Sequence, residues 1–159
     1  MLKRVPNDSL TKAAPDKLIR KYVPVAGTDV AVFRWIMDVP LRILAVDNEP
    51  SVTLSLRYVF AEPRYEVTCV EDGDAALARL DANSDPYDVI IVDQKMPNLT
   101  GVELVDAIRR RRILSKIIVL SAHLSSEIRE AYERMDVRVM FSKPFNVDQL
   151  RTAVDRLTA

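Results

Sequence analysis

Apolar residues follow two rhythms along this chain. Short runs, nearly all apolar and rich in β-branched residues, alternate with stretches in which apolar residues recur every three or four positions. The clearest run is Val89 to Val92 (VIIV), which forms a strand with Tyr87 and ends at Asp93. Leu41 to Val46 (LRILAV) ends at Asp47, and Lys116 to Leu120 (KIIVL) ends at Ser121. Tyr65 to Val70 and Val137 to Phe141 are similar, the latter ending near Ser142, Lys143 and Pro144. Such runs suit strands buried on both faces of a parallel sheet. The stretches between them predict helices. Val52, Leu56, Val59 and Phe60 share one face, with Pro50 in the first turn and Asn48 as the cap. After the turn Glu71-Asp72-Gly73, Asp74 to Asp81 turns Ala76, Leu77 and Leu80 inward. Asn83 to Pro86 reads as a loop. Val102 to Arg112 packs through Val105 and Ile108, and Glu127 to Met135 through Ile128, Ala131, Tyr132 and Met135. A last helix, opened by Asn146 or Asp148, aligns Val147, Leu150, Val154 and Leu157.

Strand and helix alternate five times. This implies an α/β fold with one five-stranded parallel sheet, right-handed crossovers and helices on both faces. The expected organisation is a domain over residues 41–159 preceded by an N-terminal extension over residues 1–40. Residues 1–28 are polar and broken by Pro6, Pro15, Pro24 and Gly27, and residues 30–39 (VAVFRWIMDV) hold the sole tryptophan, Trp35. That decapeptide reads equally well as strand or helix. It is either an arm covering an edge of the main domain or a docking or dimerisation segment. The chain stops after the fifth helix, so a stand-alone domain without an output domain is expected.

Composition narrows the function classes. Lys+Arg and Asp+Glu number 23 each, so net charge draws the chain toward neither nucleic acid nor an anionic membrane. The run Arg109 to Arg112 is read as a solvated helix end favoured by the macrodipole, ahead of a nucleic-acid site. One cysteine, Cys69, excludes an internal disulfide and is read as a small core residue. With a single histidine, His123, a conventional zinc site is also excluded. No secretory leader is visible, and Arg34, Asp38 and Arg42 interrupt the most apolar long window. The expected compartment is the cytoplasm, with no membrane partner.

Every strand of a parallel sheet ends along the same edge, where open α/β sheets bind their ligands. Asp47, Asn48 and Glu49 follow strand one, Asp93 ends strand three, Ser121 and His123 follow strand four, and Lys143 follows strand five. Carboxylates gathered this way repel one another without a cation, and hard oxygen donors suit Mg²⁺. Lys143 and the Ser121 hydroxyl add an ammonium and a donor for anionic oxygens. Such a set equips a carboxylate to accept a phosphoryl group.

The ordered stretches ILAVDNEPSV (43–52), YDVIIVDQKMPNLTG (87–101), IIVLSA (117–122) and FSKPF (141–145) make residues 41–158 resemble the receiver domain of two-component response regulators. The resemblance implies a flavodoxin-like sheet of order 2-1-3-4-5. It implies that Asp93 is the phospho-acceptor, that Lys143 pairs with the phosphoryl group, and that Ser121 is the switch hydroxyl. It gives Mg²⁺ to Asp47, position 48, Asp93 and the backbone carbonyl of Lys95, and it implies a cis Lys143–Pro144 bond. The implied partners are a sensor histidine kinase or histidine phosphotransfer protein. A downstream target or second copy would bind the face of the fourth helix, fifth strand and fifth helix. The implied activity is confined to phosphorylation and dephosphorylation of Asp93 itself.

Three departures from the family pattern matter. The second acid after strand one is Asn48, which predicts weaker Mg²⁺ binding unless Glu49 turns inward as a ligand. Met140 stands where the family has its Tyr or Phe switch, with Phe141 expected on the opposite face. Lys95 and His123 occupy the positions that tune hydrolysis, and two basic groups there predict a long-lived phosphoaspartate. Two other readings compete. One is a scaffold of the same fold that binds without accepting phosphate. The other is a phosphatase with Asp47 as nucleophile and Glu49 as its acid-base group, which leaves Asp93 unexplained.

Overall fold

In the computed structural model the described residues are 39–82 and 86–159. The expectations for residues 1–38, including Trp35, and for 83–85 lie outside them. The elements are β1 (Leu41–Val46), α1 (Pro50–Val59), β2 (Tyr65–Val70), α2 (Gly73–Ala82) and β3 (Val89–Asp93). Then come α3 (Gly101–Arg110), β4 (Lys116–Ser121), α4 (Ser126–Arg134), β5 (Val139–Ser142) and α5 (Val147–Thr158). The strands form one parallel sheet in the order β2-β1-β3-β4-β5. Fold class and strand order are those expected.

Strand alternation divides the core into two layers. Leu44, Val46, Ile90, Val92 and Val119 face α2, α3 and α4, meeting Ala76, Leu104, Val105, Ile108 and Tyr132. Ile43, Ala45, Val89, Ile91, Ile118 and Leu120 face α1 and α5, meeting Leu56, Val59, Leu150 and Val154. Val89 to Val92 are essentially fully buried, which explains their unbroken apolar run. Each such side chain contributes about 1.5–3 kcal/mol of burial. Phe141 packs in the α1/α5 layer and Met140 in the other, the opposition expected of neighbours on a strand. Cys69 is half-buried at the rim of the α1/α5 layer, where its sulfur accepts a hydrogen bond from Arg57 Nε at 3.3 Å.

The helix starts correct two expectations. Asn48 does not cap α1. The N-cap is Glu49, and it makes no side-chain cap bond. Val147 opens α5 but is exposed, because it lies in the first turn beyond the sheet's reach, while Leu150 and Val154 are buried. Asn146 is the α5 cap, its side chain accepting from the Gln149 amide at 3.0 Å. A capping box opens α3: Thr100 Oγ1 accepts from the Glu103 amide and Glu103 Oε2 accepts from the Thr100 amide.

The arginine run has structural work. Arg109 donates to the carbonyls of Met135, Ile113 and Ser115, Arg110 pairs with Asp106 one turn back, and Arg111 holds both oxygens of Asp81. Arg112 takes a left-handed backbone, φ 57°, where the helix ends.

Candidate functional site

The sheet delivers the expected residues to one edge. Asp93 is the last residue of β3, Asp47 follows β1, and Ser121 ends β4. The Lys143 amide donates to the Ser121 carbonyl at 2.9 Å, which carries β5 past its last pair and sets the lysine beside β4. Lys143–Pro144 is cis, as is Glu62–Pro63.

The charges converge on the Lys143 ammonium. Nζ lies 2.8 Å from Asp47 Oδ2, 2.9 Å from Glu49 Oε1 and 3.3 Å from Asp93 Oδ1. Asp47 and Asp93 are 2% and 3% exposed and the Glu49 side chain is exposed, so two buried acids and one at the surface face a single opposing cation among the described residues. Asp47 Oδ1 accepts the Glu49 amide at 2.8 Å, a turn that Asp favours and that folds Glu49 back toward the site. Because the Glu49 side chain makes no cap bond to α1, its carboxylate is free to reach the lysine. Oxygens of Asp47, Glu49 and Asp93 all lie within 4.8 Å of one another.

Protonation follows from this crowding. Burial raises the Asp93 carboxyl above its ordinary range, and the Asp47 charge raises it further. Lys143 and the Lys95 amide, which donates to Asp93, pull it partly back. For Lys143, burial pulls downward, but contacts with Asp47 and Glu49 and the charges of Asp47 and Asp93 outweigh it and hold the ammonium well above its ordinary value.

A cavity of about 650 Å³ opens over Asp93, with Asn48, Glu49, Lys95, Met96, His123 and Ile128 in its walls. Asn48, Lys95 and His123 are exposed at this rim, so of the three residues after β1 it is Glu49 that joins Asp47 at the lysine. Ser121 is buried. Its hydroxyl donates to the His123 carbonyl at 2.8 Å and accepts from the His123 amide at 3.2 Å. The acids fit a small divalent cation. Asp47 Oδ2 is completely buried, its close partner among the described residues is the Lys143 ammonium at 2.8 Å, and the Asp47, Glu49 and Asp93 carboxylates offer hard oxygen ligands.

The chain matches the family described as "Response regulator receiver domain" over residues 43–155. It belongs to that family. Receiver domains are signalling domains that interact with histidine kinases or phosphotransfer proteins. A chemotaxis receiver, CheY4 of Vibrio cholerae, superposes with TM-score 0.68 at 30% identity, covering 74% of this chain and 98% of that one. TrrA of Thermotoga maritima, solved in complex with Mg²⁺-BeF, superposes with TM-score 0.63 at 34% identity, covering 73% and 97%. The transcriptional regulatory protein TcrA of Mycobacterium tuberculosis is 32% identical over 110 residues, which are 69% of this chain. The receiver spans 43% of TcrA's own length. No helix among the described residues is long and apolar enough to cross a membrane.

Two residues at this edge carry contacts that motif reading did not anticipate. Gln94 follows Asp93, and its side-chain oxygen accepts both the Tyr132 hydroxyl and the Val102 amide. The available signal was chemical: a tyrosine on an inward helix face needs a partner for its hydroxyl.

Proposed function

We propose that this receiver accepts a phosphoryl group on Asp93 from a histidine kinase or histidine phosphotransfer protein. The observation that carries the reading is the buried Asp93 carboxylate, 3.3 Å from Lys143 and within 4.8 Å of the oxygens of Asp47 and Glu49. A carboxylate so placed is desolvated and therefore a better nucleophile. One Asp93 oxygen attacks phosphorus, the phosphorus–nitrogen bond of the donor imidazole breaks, and its electron pair returns to the ring. Lys143 stands ready to pair with the transferred oxygens once they arrive. Ser121 must exchange its bonds to His123 for one to the phosphoryl group, so its rotation marks the switch. Lys95 and His123, at the cavity rim, then shield the acyl phosphate from water.

Mg²⁺ fits this pocket, and TrrA, with the same fold, was captured with Mg²⁺-BeF. Asp47, Glu49 and Asp93 would hold it, with the Asn48 side chain and Lys95 carbonyl as further oxygen donors, and it would neutralise the acids and the incoming phosphoryl oxygens. Phosphorylation then shifts a pre-existing equilibrium read out at the face formed by α4, β5 and α5, for a protein target or a second copy. The domain over 41–159 carries this chemistry.

The test is to incubate the protein with Mg²⁺ and acetyl phosphate and weigh it intact. We expect a phosphate adduct that a chelator prevents and Asp93→Ala abolishes. No adduct in the wild type sinks the proposal and leaves the binding scaffold. Hydrolysis of phosphate esters that depends on Asp47 would establish the phosphatase instead.

A further inference from the structure

Gln94 is a junction of four hydrogen bonds. Its amide donates to the Leu120 carbonyl at 3.3 Å, and its carbonyl accepts the Gly101 amide at 3.0 Å, closing the 94–101 loop on itself. Its side-chain oxygen accepts the Val102 amide at 3.2 Å and the hydroxyl of Tyr132. One residue beside Asp93 thus ties together β4, the first turn of α3 and the last turn of α4.

The junction is tightly packed. Tyr132 is fully buried in the layer between the sheet and α3/α4. A Cβ at Gly101 would strike the Tyr132 hydroxyl, lie 2.6 Å from the Asp93 carbonyl oxygen and 2.9 Å from Gln94 Cα. Only glycine lets the three come this close. Burial first, and then the Asp93 charge, raise the pKa of the Tyr132 hydroxyl and keep it a neutral hydrogen-bond donor. Met140 on β5 has no ring or hydroxyl, and its sulfur accepts from the Arg129 guanidinium at 4.0 Å.

We propose that the Gln94–Tyr132 hydrogen bond couples the state of Asp93 to the position of α4. This rests on Asp93 being the phospho-acceptor. Gln94 is covalently next to Asp93 and its carbonyl and side chain hold the Gly101 and Val102 amides, so drawing the Asp93 carboxylate toward Lys143 pulls the loop backbone. Gln94 moves with its neighbours, and the tyrosine carries the movement into α4. Tyr132 and Gln94 are positioning residues in this account, since neither touches the transferred group.

The experiment compares the full-length wild type with Tyr132→Phe, each with and without Mg²⁺ and acetyl phosphate. Adduct is read by intact mass, and amide exchange is followed over residues 126–134. In the wild type we expect an adduct and at least an about threefold change in α4 exchange on phosphorylation. In Tyr132→Phe we expect the adduct but little of that change. A merely structural hydroxyl would alter α4 exchange equally with and without phosphate. Gln94→Met, its response normalised to the fraction modified, repeats the test from the other end should Tyr132→Phe fold poorly. An adduct with the wild-type response retained in the variants overturns the coupling alone. Absence of the adduct in the wild type overturns the reading of Asp93 and the coupling with it.

Discussion

Lys143→Met is the perturbation whose cost can be worked from the site. It keeps the bulk of the stem and removes the charge between Asp47, Glu49 and Asp93. Carboxylate oxygens within 4.8 Å of one another then face each other uncompensated. At an effective dielectric near 20, that separation corresponds to about 3.5 kcal/mol of repulsion per ionised pair. This agrees with the roughly 3–5 kcal/mol lost when one partner of a buried ion pair is removed. The loss has a definite pH dependence. Burial and the Asp47 charge already raise the folded-state pKa of Asp93 above its unfolded value. The folded protein therefore binds the extra proton, and this carboxyl favours folding most at low pH. That contribution is lost as pH rises through the folded pKa. Without the ammonium the folded pKa climbs further, so Asp93 stays protonated to higher pH and escapes the repulsion there. Urea unfolding of both proteins should show a deficit of about 3 kcal/mol near pH 7.5 that shrinks as the pH is lowered. Added Mg²⁺ should recover more stability in the variant than in the wild type, because it replaces the missing charge. A deficit under about 1 kcal/mol near pH 7.5, or one that is flat with pH, would refute the reasoning.

Further substitutions at Gly101, Thr100, Arg109 and Arg110 probe the scaffold. Gly101→Ala places a Cβ 2.6 Å from the Asp93 carbonyl oxygen, and the backbone cannot yield cheaply, so it should cost about 2–3 kcal/mol; an unchanged melting temperature would contradict this close approach. Thr100→Ala breaks the α3 capping box and should cost about 1 kcal/mol in urea unfolding, with Thr100→Ser close to wild type. Arg109→Met leaves three carbonyl groups without their guanidinium partner and should cost about 2 kcal/mol. Arg110→Met breaks only an exposed pair with Asp106 and should change stability by less than about 0.5 kcal/mol; equal effects of the two would show that the run acts only through charge.

The fold was legible because its central strands are buried on both faces. Ile90 and Ile91 turn to opposite layers and both must be apolar, which writes a run that no surface strand would carry. Strand ends were less legible. β3 starts at Val89, two residues later than Tyr87 suggests, although the Asp88 backbone already bonds to both neighbouring strands: its amide donates to the Arg42 carbonyl and its carbonyl accepts from the Lys116 amide. The site was legible where chemistry and topology coincide, since Asp47, Asp93, Ser121 and Lys143 each sit at a strand end. Asn48 shows the limit. Its neighbourhood to Pro50 made it the expected α1 cap, but the N-cap is Glu49, and the turn closed by Asp47 Oδ1 also brings the Glu49 carboxylate to the lysine. The Tyr132–Gln94 contact was invisible for a different reason. Periodicity reports which face a tyrosine occupies, but the partner of its hydroxyl depends on how closely α3, α4 and the β3 end approach, and Gly101 sets that distance.

The central claim is that Asp93 itself takes the phosphoryl group, and locating the covalent bond tests it most directly. An acyl phosphate is reduced by borohydride to an alcohol, so a phosphorylated aspartate becomes homoserine. After treatment with acetyl phosphate and Mg²⁺, then borohydride and proteolysis, peptide sequencing by mass spectrometry should find homoserine at position 93 and aspartate unchanged at position 47. Homoserine at 47, or aspartate intact at both positions, would contradict the account.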